Sequence, residues 1–289
     1  MIVDFHTHTF PEKIADGVIT KLQGMSCSKP YTRATNRALR ESMEQAGIDY
    51  SVLLPVMTNS GQVEKLNNIA IETNAQAQAT GLLSFGGMHP EYSNYKQELA
   101  RIQSMGIQGI KLHPAYQGLD LDDIRFLRII DRASELGLAV LLHCGYDIGI
   151  PGRDYSSPDH VCTVMKEVRP DKLILAHMGG WRHWDEVEEK LVGLSVYLDT
   201  AFVLGKIEAP NGMQRDPEDC WMLSDEAFVR MVHKHGANRI LFATDNPWSD
   251  QKRTLEHIRA LPLTETEKTA ILGENAKELL GLQTRRQLS

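Results

Sequence analysis

Eight short apolar or β-branched runs alternate with longer amphipathic stretches, and this rhythm constrains the fold more than any other feature. The strand candidates are Ile2–Phe5, Tyr50–Val56, Gly81–Phe85, Gly109–Leu112, Ala139–His143, Lys172–His177, Ser195–Asp199 and Arg239–Thr244. Ala34–Ala46 and Val63–Ala79 carry apolar residues at mixed three- and four-residue spacing, as amphipathic helices do. Leu121–Leu136 ends at Gly137, suited to the left-handed residue after a helix. Asp159–Val168 stops before Pro170, Trp184–Leu191 follows a Gly-Gly turn, and Thr264 and Glu267 form a capping box opening Glu265–Leu272. Strands separated by helices pair in parallel, and eight of them close an α/β ring, the TIM (β/α)8 barrel, regular or distorted. An open doubly wound sheet has the same rhythm, but no GxGxxG follows a strand, so its dinucleotide-binding version loses its main support. The 289 residues suit one barrel of about 250 residues with added loops, and residues 1–289 are read as a single domain. Two insertions follow the C-terminal ends of strands one and seven: Pro11–Thr32, and Gly205–Asp219 with its charged run at 215–219.

Composition removes several classes. Hydrophobic content of 42% and charged content of 24% exclude a disordered or fibrous chain. A formal net charge of −7 without a Lys/Arg cluster argues against a nucleic-acid surface. No apolar run approaches the roughly 18 residues of a membrane span. The start Met1-Ile2-Val3-Asp4-Phe5-His6 carries neither a basic leader nor a long apolar segment, so a cytoplasmic protein is expected. Cys27, Cys144, Cys162 and Cys220 lie far apart, which reads as free thiols in a reducing compartment.

The histidines gather at strand ends. His6 and His8 follow strand one, His89 strand three and His113 strand four; His143 ends strand five and His177 strand six, and Asp245 ends strand eight. In a closed parallel barrel these ends share one face. Imidazole and carboxylate are the usual ligands of a catalytic Zn²⁺-type ion. Asp4, His6 and His8 are spaced by two, as are Lys111 and His113, so each set is expected to point one way in an extended segment. A His-x-His pair alone is as well explained by satisfied polar strand residues; the convergence carries the argument. Asp245 suits either a helix N-cap or a ligand. Trp181, Trp184 and His183 follow the Gly179-Gly180 turn, and Tyr116, Asp147 and Arg153 occupy loops at the same mouth, where Arg153 would suit a carboxylate. His113 and His89 each precede a proline, so a turn-closing role weighs equally with substrate contact. His233, His235 and His257 sit in helical stretches, His235 reading as a cation near a helix C-terminus. His160 lies near a helix start and carries no functional role.

Asp4-Phe5-His6-Thr7-His8, Gly109-Ile110-Lys111-Leu112-His113-Pro114, Leu142-His143-Cys144-Gly145, Leu175-Ala176-His177-Met178-Gly179-Gly180 and Ala243-Thr244-Asp245 together resemble the amidohydrolase superfamily. More narrowly they resemble its amidohydrolase 2 branch, which includes aminocarboxymuconate-semialdehyde decarboxylase and related metal-dependent hydrolases. The resemblance runs from strand one to Gly273-Glu274-Asn275-Ala276 and implies a TIM barrel. It implies that His6, His8, His143 and Asp245 hold one divalent ion, with Zn²⁺ expected, and that Asp245 and His177 serve catalysis. It makes Lys111, His177 and His113 the candidates for a second ion or for substrate contact, Lys111 being read as unmodified rather than carboxylated. His89, Trp181, His183, Arg153 and Tyr116 are the substrate-binding candidates.

Such an ion brings the pKa of bound water from 15.7 toward about 7. Hydrolysis of a small-molecule amide, lactone or related bond is therefore the first expectation, the commoner chemistry of the superfamily. Non-oxidative decarboxylation of an aromatic or unsaturated acid uses the same ligands and is the alternative. A non-catalytic binding barrel is the third reading; it predicts missing ligands, and none of the four is missing. The expected partner is a small molecule, a carboxylate among the options, with no nucleic acid and no membrane, and a homodimer or larger homo-oligomer is allowed.

Overall fold

The computed structural model describes residues 1–216, 220 and 222–283; Pro217–Asp219 of the second insertion lie outside them. Nine strand segments run in the order β1 Val3–Thr7, β2 Tyr50–Leu53, β3 Leu82–Ser84, β4 Gly86–Gly87, β5 Gly109–Leu112, β6 Ala139–Leu142, β7 Leu173–Leu175, β8 Tyr197–Asp199 and β9 Ile240–Leu241. All pair in parallel, as β1-β2-β3 and as β4 through β9. β3 and β4 flank Phe85 and form one bent stave. The ring continues from β9 to β1: Phe5 N–H donates to Phe242 C=O (2.8 Å), Asp245 N–H to His6 C=O (2.8 Å) and His8 N–H to Asn246 C=O (2.7 Å). Eight staves thus form the TIM barrel that the strand count implies.

Parallel strands in a barrel are buried on both faces, and alternate residues serve two cores. Phe5, Val52, Phe85, Leu141, Ile174 and Leu241 belong to an inner cluster, where Phe5 meets Phe85 edge-on at 5.7 Å. Ile110, Leu112, Val140, Leu142, Leu175 and Leu198 pack outward in the larger cluster beneath the helices. The inner parity is what carries chemistry: Lys111 leads to His113, Leu141 to His143, and Ala243 to Asp245. Gly109 begins the Lys111 stave because an added Cβ would stand 2.4 Å from the Phe85 ring.

The shell helices follow local signals. Ile124–Glu135 is capped by Asp123 and buries Phe126, Ile129, Ile130 and Ala133, while Gly137 takes a positive φ of 70°. The Thr264/Glu267 capping box is present, and His160 supplies the capping-box partner of Ser157 at the start of Pro158–Glu167. The first insertion is more ordered than a loop: Glu12–Ser26 is a helix. The second insertion ties to it through the Lys29–Glu208 ion pair (2.8 Å) and Lys29 N–H to Glu208 C=O (2.8 Å). His235 departs from the expected helix-end cation. It is buried, its Nδ1 accepts from Gly193 N–H (3.0 Å), its Nε2 faces Val196 C=O (2.9 Å), and burial lowers its pKa. Both ring nitrogens are therefore used in the neutral form. No helix among the described residues is long and apolar enough to cross a membrane, and all four cysteines are free.

Candidate metal centre and cavity

A bulge in β1 sets the first ligand. Asp4 registers with Ser51 and Thr7 with Leu53, so Phe5 and His6 together oppose Val52. A two-against-one step re-aims side chains, and here it breaks the alternation expected of Asp4, His6 and His8. Asp4 turns toward the shell, accepting from Thr244 Oγ1 (2.6 Å) and Gln251 Nε2 (2.7 Å). His6 turns inward, its Nδ1 2.8 Å from Asp199 Oδ2. Asp199, at the end of β8, also accepts His177 N–H (2.8 Å) and Ala201 N–H (3.0 Å) through Oδ1. Sequence reasoning missed Asp199 as a site residue. The available signal was a carboxylate closing an apolar strand at the level of the other ligands. Two further site residues depend on unusual backbone: His177 and Asp245 have φ of 60° and 62°, a region that strains non-glycine residues and clusters at functional sites.

His6 Nε2 lies 3.1 Å from His8 Nε2, and Asp245 Oδ1 lies 3.5 Å from the former and 3.1 Å from the latter. The second nitrogen of each ring fixes what these atoms are. His8 Nδ1 faces Leu54 C=O at 2.9 Å, an acceptor only, so Nδ1 carries a proton and, in the neutral ring, Nε2 a lone pair. His6 Nδ1 likewise donates to Asp199. Burial holds His6 far below the ordinary histidine range, which keeps it neutral. Asp245 is also buried, which raises a carboxyl, yet its pKa is lowered by positive charge at the His6 and His8 rings; a cation held between neutral rings would supply the same charge. With both rings neutral, two lone pairs and a carboxylate oxygen cannot satisfy one another by hydrogen bonding. A cation among them can, and a second partner orienting each imidazole is the usual support of a metal ligand. The donor set therefore fits a divalent ion, and Asp245 faces these imidazoles instead of capping a helix.

His143 stands apart from that trio. Its Nδ1 is 3.1 Å from His177 Nε2, while His177 Nδ1 faces Ala201 C=O at 2.8 Å. In neutral rings the order is fixed: His177 donates to Ala201, His143 donates to His177, and His143 Nε2 keeps a lone pair. That Nε2 is buried without a hydrogen-bond partner among the described residues, 3.8 Å from Asp147 Oδ2. His143, His113 and Asp147 form a second three-donor group, the two rings stacked at 4.0 Å. Burial lowers both imidazoles strongly and raises Asp147 to about 6. Lys111 is fully buried, its Nζ 3.5 Å from His6 Nε2; burial pulls its pKa to about 8 against the attraction of Asp199 and Asp245.

These groups face a cavity of about 220 Å³, below the range of drug-sized pockets and suited to one substituted ring. Of the substrate-binding candidates Trp181 and Tyr116 line it, together with Val18 and Leu22 from the Glu12–Ser26 helix and Phe202 and Trp248, none of which sequence reasoning singled out. Trp181 arrives there because it pairs with Gly145, where an added Cβ would stand 2.3 Å from Trp181 N. Three expected substrate contacts fall elsewhere. Arg153 is exposed and paired with Asp120. His183 is held by Asp154 (2.8 Å) and Glu186 (3.1 Å). His89 accepts Glu91 N–H (3.2 Å) through Nδ1, which is the turn-closing role.

The Amidohydrolase family profile matches residues 3–282. The chain belongs to the Amidohydrolase family. A curated relative, 2-amino-3-carboxymuconate-6-semialdehyde decarboxylase of Dictyostelium discoideum, is 26% identical over 218 residues, 66% of this chain and 58% of that protein. The match thus spans less than two thirds of the relative's length. A solved 2,6-dihydroxybenzoate decarboxylase, complexed with 2,6-dihydroxybenzoate, superposes with TM-score 0.67 at 16% identity, covering 97% of this chain and 99% of that one. A dihydroxybenzoic acid decarboxylase from Polaromonas sp. JS666, with bound manganese and the inhibitor 2-nitroresorcinol, gives TM-score 0.65 at 16% identity, covering 97% of each chain. At such identities the two structures share the fold. These findings correct the expectation that this amidohydrolase-family barrel is a hydrolase: the curated relative and both solved proteins are named decarboxylases.

Proposed function

We propose that this Amidohydrolase-family protein is a metal-dependent lyase that removes CO₂, without oxidation, from an aromatic or unsaturated carboxylic acid. The convergence of His6 Nε2, His8 Nε2 and Asp245 Oδ1, with lone pairs facing one another at the floor of an aromatic-walled cavity, carries the reading. Those three atoms would hold the ion, and His143 Nε2 is a further unpartnered nitrogen lining the same cavity. When bound, a divalent ion supplies positive charge that holds a carboxylate and stabilises the electron pair left on carbon as C–C cleavage releases CO₂. His177 is placed to manage the proton that must replace CO₂. Its Nε2 shares a proton with His143 Nδ1 at the cavity wall, while Ala201 C=O fixes its other nitrogen. Trp181, Phe202 and Trp248 hold the ring and keep water from the reacting carbon. Zinc is the expectation from the donor types; a solved relative of the fold carries manganese, so both metals belong in the test.

The test combines metal content with gas release. Protein prepared without chelator should carry about one zinc or manganese per chain, and His6→Ala should lose it; the content of His143→Ala reports whether His143 is a fourth ligand. Metal-replete protein should release CO₂ from members of a panel of hydroxybenzoates and unsaturated acids, and His177→Ala should stop release while keeping the ion. Absence of CO₂ from every acid in the panel overturns the reading.

A further inference from the structure

The cavity that would receive the acid has no cationic side chain of its own to pair with a second anionic group. No lysine or arginine is among the described residues lining it. Four cations beside lining residues are engaged elsewhere, Arg215 among them, which donates to Ser26 C=O (2.5 Å), Cys27 C=O (3.2 Å) and Ser28 Oγ (3.3 Å). Lys111 lies beneath His6, drawn to Asp199 and Asp245; Arg182 stacks on the Trp181 ring at 4.7 Å; Arg153 pairs with Asp120 at the surface. The lining does hold a second carboxyl, Asp147, which accepts Gly149 N–H (2.7 Å) and faces His113 (3.4 Å). Away from the metal donors the wall is mostly apolar, formed by Val18, Leu22, Ile148, Trp181, Phe202 and Trp248, and its polar members Ser26, Ser28, Thr58, Tyr116 and Tyr146 are uncharged. An ionised group taken out of water needs a partner of opposite charge, and this wall offers none.

Building on the decarboxylase reading, we infer that the substrate is a monocarboxylate: its one anionic group lies at the His6–His8–Asp245 donors, and its remainder is an uncharged, apolar-substituted ring or chain lying between the Glu12–Ser26 helix and Trp181. Dicarboxylates are disfavoured, because a second carboxylate would meet Asp147, the apolar wall or hydroxyls that carry no charge to balance it. An uncharged hydroxyl remains acceptable, since it can donate a hydrogen bond to Asp147. The helix in the first insertion sets this selectivity, as Val18 and Leu22 are its contribution to the lining.

Isothermal titration calorimetry of the manganese-loaded protein with 4-ethylbenzoate and with isophthalate (benzene-1,3-dicarboxylate) reads the selectivity without relying on turnover. The expected result is at least tenfold tighter binding of 4-ethylbenzoate. Leu22→Arg should shift the ratio of the two affinities toward isophthalate by tenfold or more, and Val18→Arg serves should Leu22→Arg fail to fold. Equal or tighter binding of isophthalate by the unmodified protein, no binding of either acid, or arginine variants that leave the ratio unchanged overturns the inference. The two readings fail separately. Preference for the monoacid with no CO₂ released from any acid defeats only the lyase reading, whereas CO₂ release mainly from dicarboxylates defeats only the selectivity.

Discussion

His6 can act as a ligand because of Asp199, a residue far from it in sequence. The carboxylate holds Nδ1–H and so leaves the lone pair on Nε2, facing His8 and Asp245. Asp199→Asn keeps the size of the side chain and removes this control. With its oxygen still accepting His177 N–H and Ala201 N–H, the amide NH₂ would meet His6 Nδ1 and favour the opposite tautomer, placing a proton where the ion should sit. Such orienting partners are typically worth 10–100-fold in metal affinity. Competitive titration against a chelator should therefore show about tenfold or greater weakening in Asp199→Asn; unchanged affinity would show that the His6 tautomer is set by something else. Neither the sign nor the need for Asp199 is legible in the local sequence Tyr197-Leu198-Asp199, since an acid ending a strand is more often a turn residue.

At the scale of elements, the periodicity predicts which segments exist better than where their side chains point. β1 is read correctly as a strand, yet its bulge sends Asp4 to the shell and His6 to the cavity. A two-residue spacing carries no sign of a bulge. The helix Asp225–His235 gives the opposite lesson. His233, Lys234 and His235 make a cationic last turn, but packing buries His235 against the Leu191–Val196 turn with both nitrogens occupied. Because burial lowers its folded-state pKa below the ordinary 6.5, the unfolded chain binds its proton first as pH falls. The stabilising contribution is thus complete above about pH 6.5 and is lost progressively below it. Urea unfolding measured between pH 7.5 and 5 should show a shallower loss of stability in His235→Gln than in the unmodified protein. Parallel slopes would mean that His235 charges equally in both states.

For the molecule as a whole, barrel closure creates the site. β1 and the segment after β9 are joined by the backbone hydrogen bonds that close the ring and by Thr244 donating to Asp4, and His6 and Asp245 lie on the two sides of that seam. An ion shared by them would lock the seam. Because the unfolded chain has no such site, binding adds to stability by about 2.7 kcal/mol at free metal a hundredfold above Kd. For a chain of this size that corresponds to roughly 5 °C in Tm. Differential scanning fluorimetry should show Tm falling by about that amount with chelator and returning on addition of manganese or zinc. A Tm indifferent to both would argue against an ion at the seam.

The strand-helix rhythm and the inward parity of Lys111, His113, His143 and Asp245 are local properties, so the barrel and the gathering of its imidazoles were readable from the residues alone. The reaction was not, because the same histidines and aspartate serve hydrolysis and decarboxylation, and the decarboxylase reading proposed above leans on what the relatives are named. Three-dimensional packing decided the rest. It turned His6 inward at a bulge, enlisted Asp199 across the barrel and carried Arg153 away from the mouth. It also folded Glu12–Ser26 over the cavity as its apolar wall. Each of these depends on contacts between residues far apart in the chain, and such contacts arise only when the ring of strands closes.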